Sequence, residues 1–158
     1  MQNLKQITES INSLCELLDK EYDINNGGCC YIAYLIAKEL DKLNIKYTLK
    51  IFDSEKKDRI SIKNEVLRKK LNSNPNESVV GSNSCNHYCL YILRGGEINY
   101  GDFCTGEYHC YTINNISAKN IQWIYKNGSW NKLYDTNNNK LIESLIKKHF
   151  KQYDKRSN

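Results

Sequence analysis

Leu4, Ile7, Ile11, Leu14, Leu17 and Leu18 recur at steps of three and four, the spacing of one apolar face of a helix that runs to about Glu21. Asp23 to Gly28 is polar and ends in glycine, so it breaks that helix. Ile32, Leu35, Ile36, Leu40 and Leu43 repeat the helical spacing, and Ala33 and Ala37 are small enough to let another element pack closely. This predicts a second, central helix. Ile45, Tyr47, Leu49 and Ile51 then alternate with Lys46, Thr48 and Lys50, the period of two that marks a half-buried strand.

The stretch from Asp53 to Ser84 is polar and charged, with a weak helical pattern at Ile62, Val66, Leu67 and Leu71 and a break at Asn74-Pro75-Asn76. It reads as a surface insertion. His87 to Leu93 is the strongest strand pattern in the chain, Arg94-Gly95-Gly96-Glu97 is a hairpin turn, and Ile98 to Phe103 returns as its partner. Tyr108 to Ile113 predicts a further strand. Ser117 can cap a short helix carrying Ile121, Trp123 and Ile124 and ending near Gly128, and a last helix starts near Thr136 with Leu141, Ile142, Leu145, Ile146 and Phe150. Trp123 and Trp130 are read as anchors for these terminal helices. Helix, helix, strand, insertion, antiparallel meander and helices together predict an α+β fold, with residues 1–158 forming a single domain and 53–84 inserted on its surface.

Composition narrows the setting. At 158 residues with 40% hydrophobic residues, the chain can bury a real core of its own. Its first residues carry Lys5, Glu9, Glu16 and Asp19 and lack the continuous apolar block of a signal peptide or membrane span. We therefore expect a cytoplasmic protein with no membrane partner. The net charge of +5 is spread along the chain, apart from Lys147, Lys148, Lys151, Lys155 and Arg156, and does not point to a nucleic-acid partner. Seven cysteines is an odd number and Cys29 and Cys30 are adjacent, so free thiols in a reducing compartment fit better than a disulfide framework.

The junction at Asn26-Gly27-Gly28-Cys29-Cys30-Tyr31 puts a thiol at a helix N-terminus, where unpaired N–H groups and the helix dipole favour the thiolate. Cys30 is the expected nucleophile and Cys29 is expected to be structural. Taken alone, a buried cysteine at a helix start is most simply a packing residue. What raises Cys30 above that reading is a base and an orienting group in the right places. His87 opens the strongest strand, Asp102 lies near the far end of the hairpin partner, and the hairpin places the two side by side. Metal binding competes, because Cys85, His87 and Cys89 alternate on one strand and Cys104, His109 and Cys110 follow. The chain holds no Cys-x-x-Cys, however, so zinc is the lesser reading and no metal or cofactor is expected.

The order cysteine at the start of a central helix, histidine opening a strand, then Asp on the next strand resembles papain-like and transglutaminase-like enzymes. Gly28-Cys29-Cys30-Tyr31 looks like their Gly-x-Cys-Trp, and Gly27-Gly28-Cys29-Cys30 is similar to the Gly-Gly-x-Cys of arylamine N-acetyltransferases. Both alignments select Cys30. Asn86-His87 is similar to the Asn-His of papain-like enzymes, and Asp102-Phe103-Cys104-Thr105-Gly106 to the Asp segment of the acetyltransferases. The resemblance implies a Cys30–His87–Asp102 triad on a papain/transglutaminase-like fold, with N-terminal helices, a central nucleophile helix packed on an antiparallel sheet, and C-terminal helices. The implied activity is that of a cysteine peptidase or amidase acting on a peptide or protein substrate through a thioester on Cys30. Where papain-type enzymes carry an oxyanion-hole glutamine this chain has Asn25 and Asn26, which with Gly28 and the Cys30 N–H form the expected oxyanion and substrate-binding group. Transglutaminase-type acyl transfer and a non-catalytic binding module on the same fold are the alternatives.

Overall fold

The computed structural model describes residues 3–24, 28–53, 71–81, 86–98, 106–127 and 136–154. Its architecture is α+β. Helices α1 (Leu4–Tyr22) and α2 (Cys29–Lys42) precede strand β1 (Tyr47–Asp53). Strands β2 (Leu71–Gly81), β3 (Asn86–Ile92), β4 (Gly96–Ile98) and β5 (Gly106–Ile113) follow, then helices α3 (Ala118–Asn127) and α4 (Thr136–Phe150) with a short 3₁₀ turn at Lys151–Tyr153. The five strands form one antiparallel sheet in the order β2-β5-β1-β3-β4.

The core side of the sheet follows from the alternation in β1. Leu49 pairs with Leu90 of β3 and with Ile113 of β5, Tyr47 pairs with Ile92, and Leu90 pairs in turn with Ile98 of β4. All are buried, so one face of the central strands is a continuous apolar layer. Between them, Lys50 lies with its ammonium 4.9 Å from the Tyr91 ring centre, a cation–π contact across the β1–β3 pair.

Helix α2 is buried almost all round, with Cys29, Cys30, Ile32, Ala33, Leu35, Ile36, Ala37 and Leu40 in the core. It packs against β3, α3 and α4, which makes it the central helix that the apolar spacing predicts. Ties hold it to both C-terminal helices. The Lys38 ammonium meets Glu143 of α4 at 3.1 Å, the Tyr31 hydroxyl donates to the Asn139 carbonyl at 3.5 Å, and Gln122 of α3 donates to the Tyr34 hydroxyl at 3.2 Å. At the other end of α2, Asp41 accepts from the Tyr47 hydroxyl at 2.7 Å and from the Ala118 N–H at 2.9 Å. One carboxylate thus fixes the start of β1 and satisfies a free N–H in the first turn of α3. Ser117 stands before this turn, as expected, but its hydroxyl and its N–H both donate to Asn120 Oδ1 at 3.1 Å, and it is the Ser117 carbonyl that accepts from the Asn120 and Ile121 N–H groups.

Helix α1 lies on the β3–β4 hairpin. Asn12 donates to the Glu97 carbonyl at 3.0 Å, and the turn passes so close that a Cβ on Gly95 would meet Thr8 Oγ1 at 2.7 Å. Asp23 ends α1 in the left-handed region at φ 53°, donating its N–H to the Asp19 carbonyl.

Four expectations change, the first being the meander: β5 lies between β2 and β1 and does not follow β4 in the sheet. Leu17 belongs to the apolar series of α1 yet is 66% exposed, because Ile7, Ile11, Cys15 and Leu18 already fill the arc that faces the core. Leu71–Gly81, inside the expected surface insertion, is an edge strand pairing with β5. Its polar sequence suits an edge, and Pro75 falls in the register shift between Asn74 and Ser78, where a missing N–H breaks no ladder. Strand β4 begins at Gly96 rather than at Ile98, and residues 99–103 of the expected return strand lie outside the described residues.

Candidate functional site

The first turn of α2 is built by Gly28, whose φ of −110° and ψ of 0° place it outside the helix while its carbonyl accepts the Ile32 N–H at 3.0 Å. Gly28 has no side chain with which to cap this end, unlike the serine, threonine or aspartate common at that position. Cys29 and Cys30 are the first two helical residues. Successive side chains on a helix project about 100° apart, so the two thiols look in different directions.

The backbone N–H groups of Tyr88, Cys30 and Cys29 itself favour the thiolate form of Cys29, against the larger effect of its burial. Tyr88 directly follows His87, the second residue of β3, whose backbone is paired with Phe52 of β1. The His87 side chain lies outside the described set. Cys30 points into the core at 1% exposure, against 7% for Cys29.

Electrostatics at this turn oppose the expectation of a lowered thiol pKa. Burial pushes the Cys30 thiol well above its ordinary value, and the neighbouring Cys29 thiol adds to the rise. Burial also raises Cys29, to about 11, with the three backbone N–H groups working in the opposite direction. A helix N-terminus favours the anion by roughly 0.3–1 kcal/mol at exposed sites, and taking a thiolate out of water costs more than that. Both thiols therefore rest in the neutral form.

Of the other expected site residues, Gly28 is in place as the N-cap, and Asp102, Asn25 and Asn26 fall outside the described residues. The described hairpin register runs Leu90–Ile98, Tyr91–Glu97 and Ile92–Gly96. The juxtaposition of His87 and Asp102 lies beyond it. Cys89 is a fully buried sheet thiol, and Cys15, Cys29, Cys30 and Cys89 are all free. For the metal reading, His87 and Cys89 lie on β3 and His109 and Cys110 on β5, with β1 between them. That intervening strand separates the two backbones by about 9–10 Å. Cys85 and Cys104 are outside the described residues, and among the described residues no three His, Cys, Asp or Glu side chains gather as a metal site.

The helical spacing of α2 gives no sign of the burial that raises both thiols, because it comes from elements packed around the turn. No family model, curated protein or solved structure matches the chain. Among the described residues no helix is long and apolar enough to cross a membrane.

Proposed function

We propose that the protein is a thiol hydrolase, a cysteine peptidase or amidase, whose nucleophile is a thiol in the first turn of α2 and whose base is His87. The observation that carries this reading is the packing of α2, which opens with Cys29 and Cys30, against β3, whose second residue is His87. A neutral thiol does not oppose it. In this reading the imidazole removes the proton as the sulfur attacks the acyl carbon, Asp102 orients the ring, and first-turn N–H groups together with Asn25 or Asn26 stabilise the oxyanion. The substrate class is an amide of a peptide or protein, and the papain/transglutaminase-like fold belongs to the same proposal.

The test is alkylation by iodoacetamide across pH, compared between the unmodified chain and His87→Ala. We expect one cysteine in α2 to react faster than the rest below pH 8, and His87→Ala to slow it by about tenfold or more. Equal reactivity of all the cysteines, or no effect of the substitution, rejects the hydrolase. A second reading, a non-catalytic binding module on the same fold, draws on one observation: burial holds both α2 thiols neutral. Under that reading no thiol is set apart and His87→Ala leaves alkylation unchanged.

A further inference from the structure

We propose that Ser10, His149, Gln152 and Tyr153 form a pH-sensitive latch, which holds the C-terminal end of α4 on α1 while the imidazole is neutral and loosens it when the ring takes up a proton. Nε2 of the half-buried ring stands 3.1 Å from Ser10 Oγ of α1, 3.0 Å from the Tyr153 hydroxyl and 3.4 Å from the Gln152 amide nitrogen. Gln152 fixes the sense of these contacts. Its amide nitrogen donates to the His149 carbonyl at 2.9 Å, so the carboxamide cannot turn over without losing that bond, and the nitrogen it shows to the ring is a donor whichever way the hydroxyls point. Nε2 is therefore the acceptor of the cluster, with the ring proton on Nδ1.

A proton on Nε2 removes that acceptor. One hydroxyl can swing round and take the new N–H, but the other loses its partner and the Gln152 amide is left donor against donor. The added charge finds no counter-ion. Ser10 faces the ring from α1, Gln152 and Tyr153 face it from the 3₁₀ turn, and the rings of Phe150 and Tyr153 meet it edge-on at 6.0 and 5.6 Å between centres. Tyr153 is the titratable group among them, and burial pushes its hydroxyl above the ordinary value, so it stays neutral. The charged residues nearby in the chain are Glu9 on α1, Lys148 on α4, and Lys151 and Asp154 at the turn. Among the described residues none of them pairs with His149, whose pKa burial alone moves, and moves down. The contacts of α2 with α4 lie more than a turn away, at Asn139 and Glu143.

Those contacts, with the buried Ile142 and Ile146, keep the body of α4 in place, so the effect of the proton is local. Phe150 remains the apolar anchor of the end, and the latch changes how often that end opens rather than where it rests.

Hydrogen exchange of the whole chain at about pH 7.5 and about pH 5, corrected for the intrinsic effect of pH on amide exchange, tests this. We expect the amides of residues 147–154 to lose about threefold or more of their protection at the lower pH relative to those of α2, and His149→Gln to abolish the loss. No loss, an equal loss in α2, or a loss that persists in His149→Gln overturns the latch. Ser10→Ala keeps the histidine and covers the case in which His149→Gln fails to fold. It should raise exchange at this end at about pH 7.5 and shrink the response to pH by about twofold or more, and a full response overturns the latch as well.

Discussion

Among the described residues, the α1–α4 junction brings a hydroxyl and a histidine together, and the first turn of α2, which packs on the strand that carries His87, is built differently. At the α1–α4 junction, Ser10 Oγ lies 3.1 Å from His149 Nε2, and the Tyr153 hydroxyl reaches the same nitrogen at 3.0 Å. Phe150 and Tyr153 pack edge-on against the ring, and Gln152 donates to the His149 carbonyl at 2.9 Å. By spacing alone this is the better nucleophile–base pair. Yet Ser10 stands in the middle of α1, where the backbone N–H groups are committed to the helix, so no amide is free to meet a developing oxyanion. The cluster closes on itself and serves to seat α4 on α1. The first turn of α2 has the opposite character: it opens at a glycine with two thiols and packs on the strand that carries His87. A histidine near a hydroxyl is not by itself a catalytic pair, because the nucleophile also needs donors for the oxyanion.

That contrast can be broken in order of effect. Ile32→Ala removes a fully buried side chain from α2, and we expect about 3 kcal/mol of destabilisation in urea unfolding. It should also blur the selectivity of cysteine alkylation, because the α2 turn loses its seat on β3. Retained selectivity would show that the turn is held by something other than the core. The matched pair His87→Ala and His149→Ala comes next: the first slows the reactive α2 thiol by about tenfold with little change in stability. The second costs about 1 kcal/mol of stability and leaves the thiol as it was. An exchange of these two results overturns the comparison.

The pH dependence of stability isolates His149 further. Burial lowers its pKa below the ordinary value of 6.5, so the unfolded chain binds this proton more readily than the folded one. Stability is therefore full above that value and falls as pH drops through it, down to the lowered folded value. His149→Gln should flatten that part of a denaturation series, and an unchanged slope assigns it elsewhere. The smallest effect belongs to Glu143, which meets both Lys38 and Lys147 of half-exposed pairs at 3.1 and 3.2 Å. Glu143→Gln should cost no more than about 0.5 kcal/mol, and less in high salt.

Much of the fold was legible. Helices α1, α2, α3 and α4 and strands β1, β3 and β5 follow periodicity, because one face of each must meet the core. Strand β2 escaped, since an edge strand gains its place through backbone hydrogen bonds that leave no mark on polar side chains. Leu17 misled for a related reason: helical spacing names more apolar residues than the core has room to cover. At the site, Gly28 and the thiol pair were legible as a helix start. The resting pKa was not, because desolvation depends on every neighbour that covers the sulfur, and those neighbours come from β3 and the far side of the core.

The sequence by itself determined that two cysteines open a central helix and that a histidine opens the strand of strongest pattern. Each follows from local spacing and from glycine. Only the tertiary structure decided how deeply each of the two sulfurs is covered, with 7% of Cys29 and 1% of Cys30 left exposed. Cys29 is in line with Ile32 and Ile36 and Cys30 with Ala33 and Ala37, and both rows are buried. Periodicity therefore cannot separate them. The rotation of α2 against β3 does, and packing against β3, α3 and α4 sets that rotation.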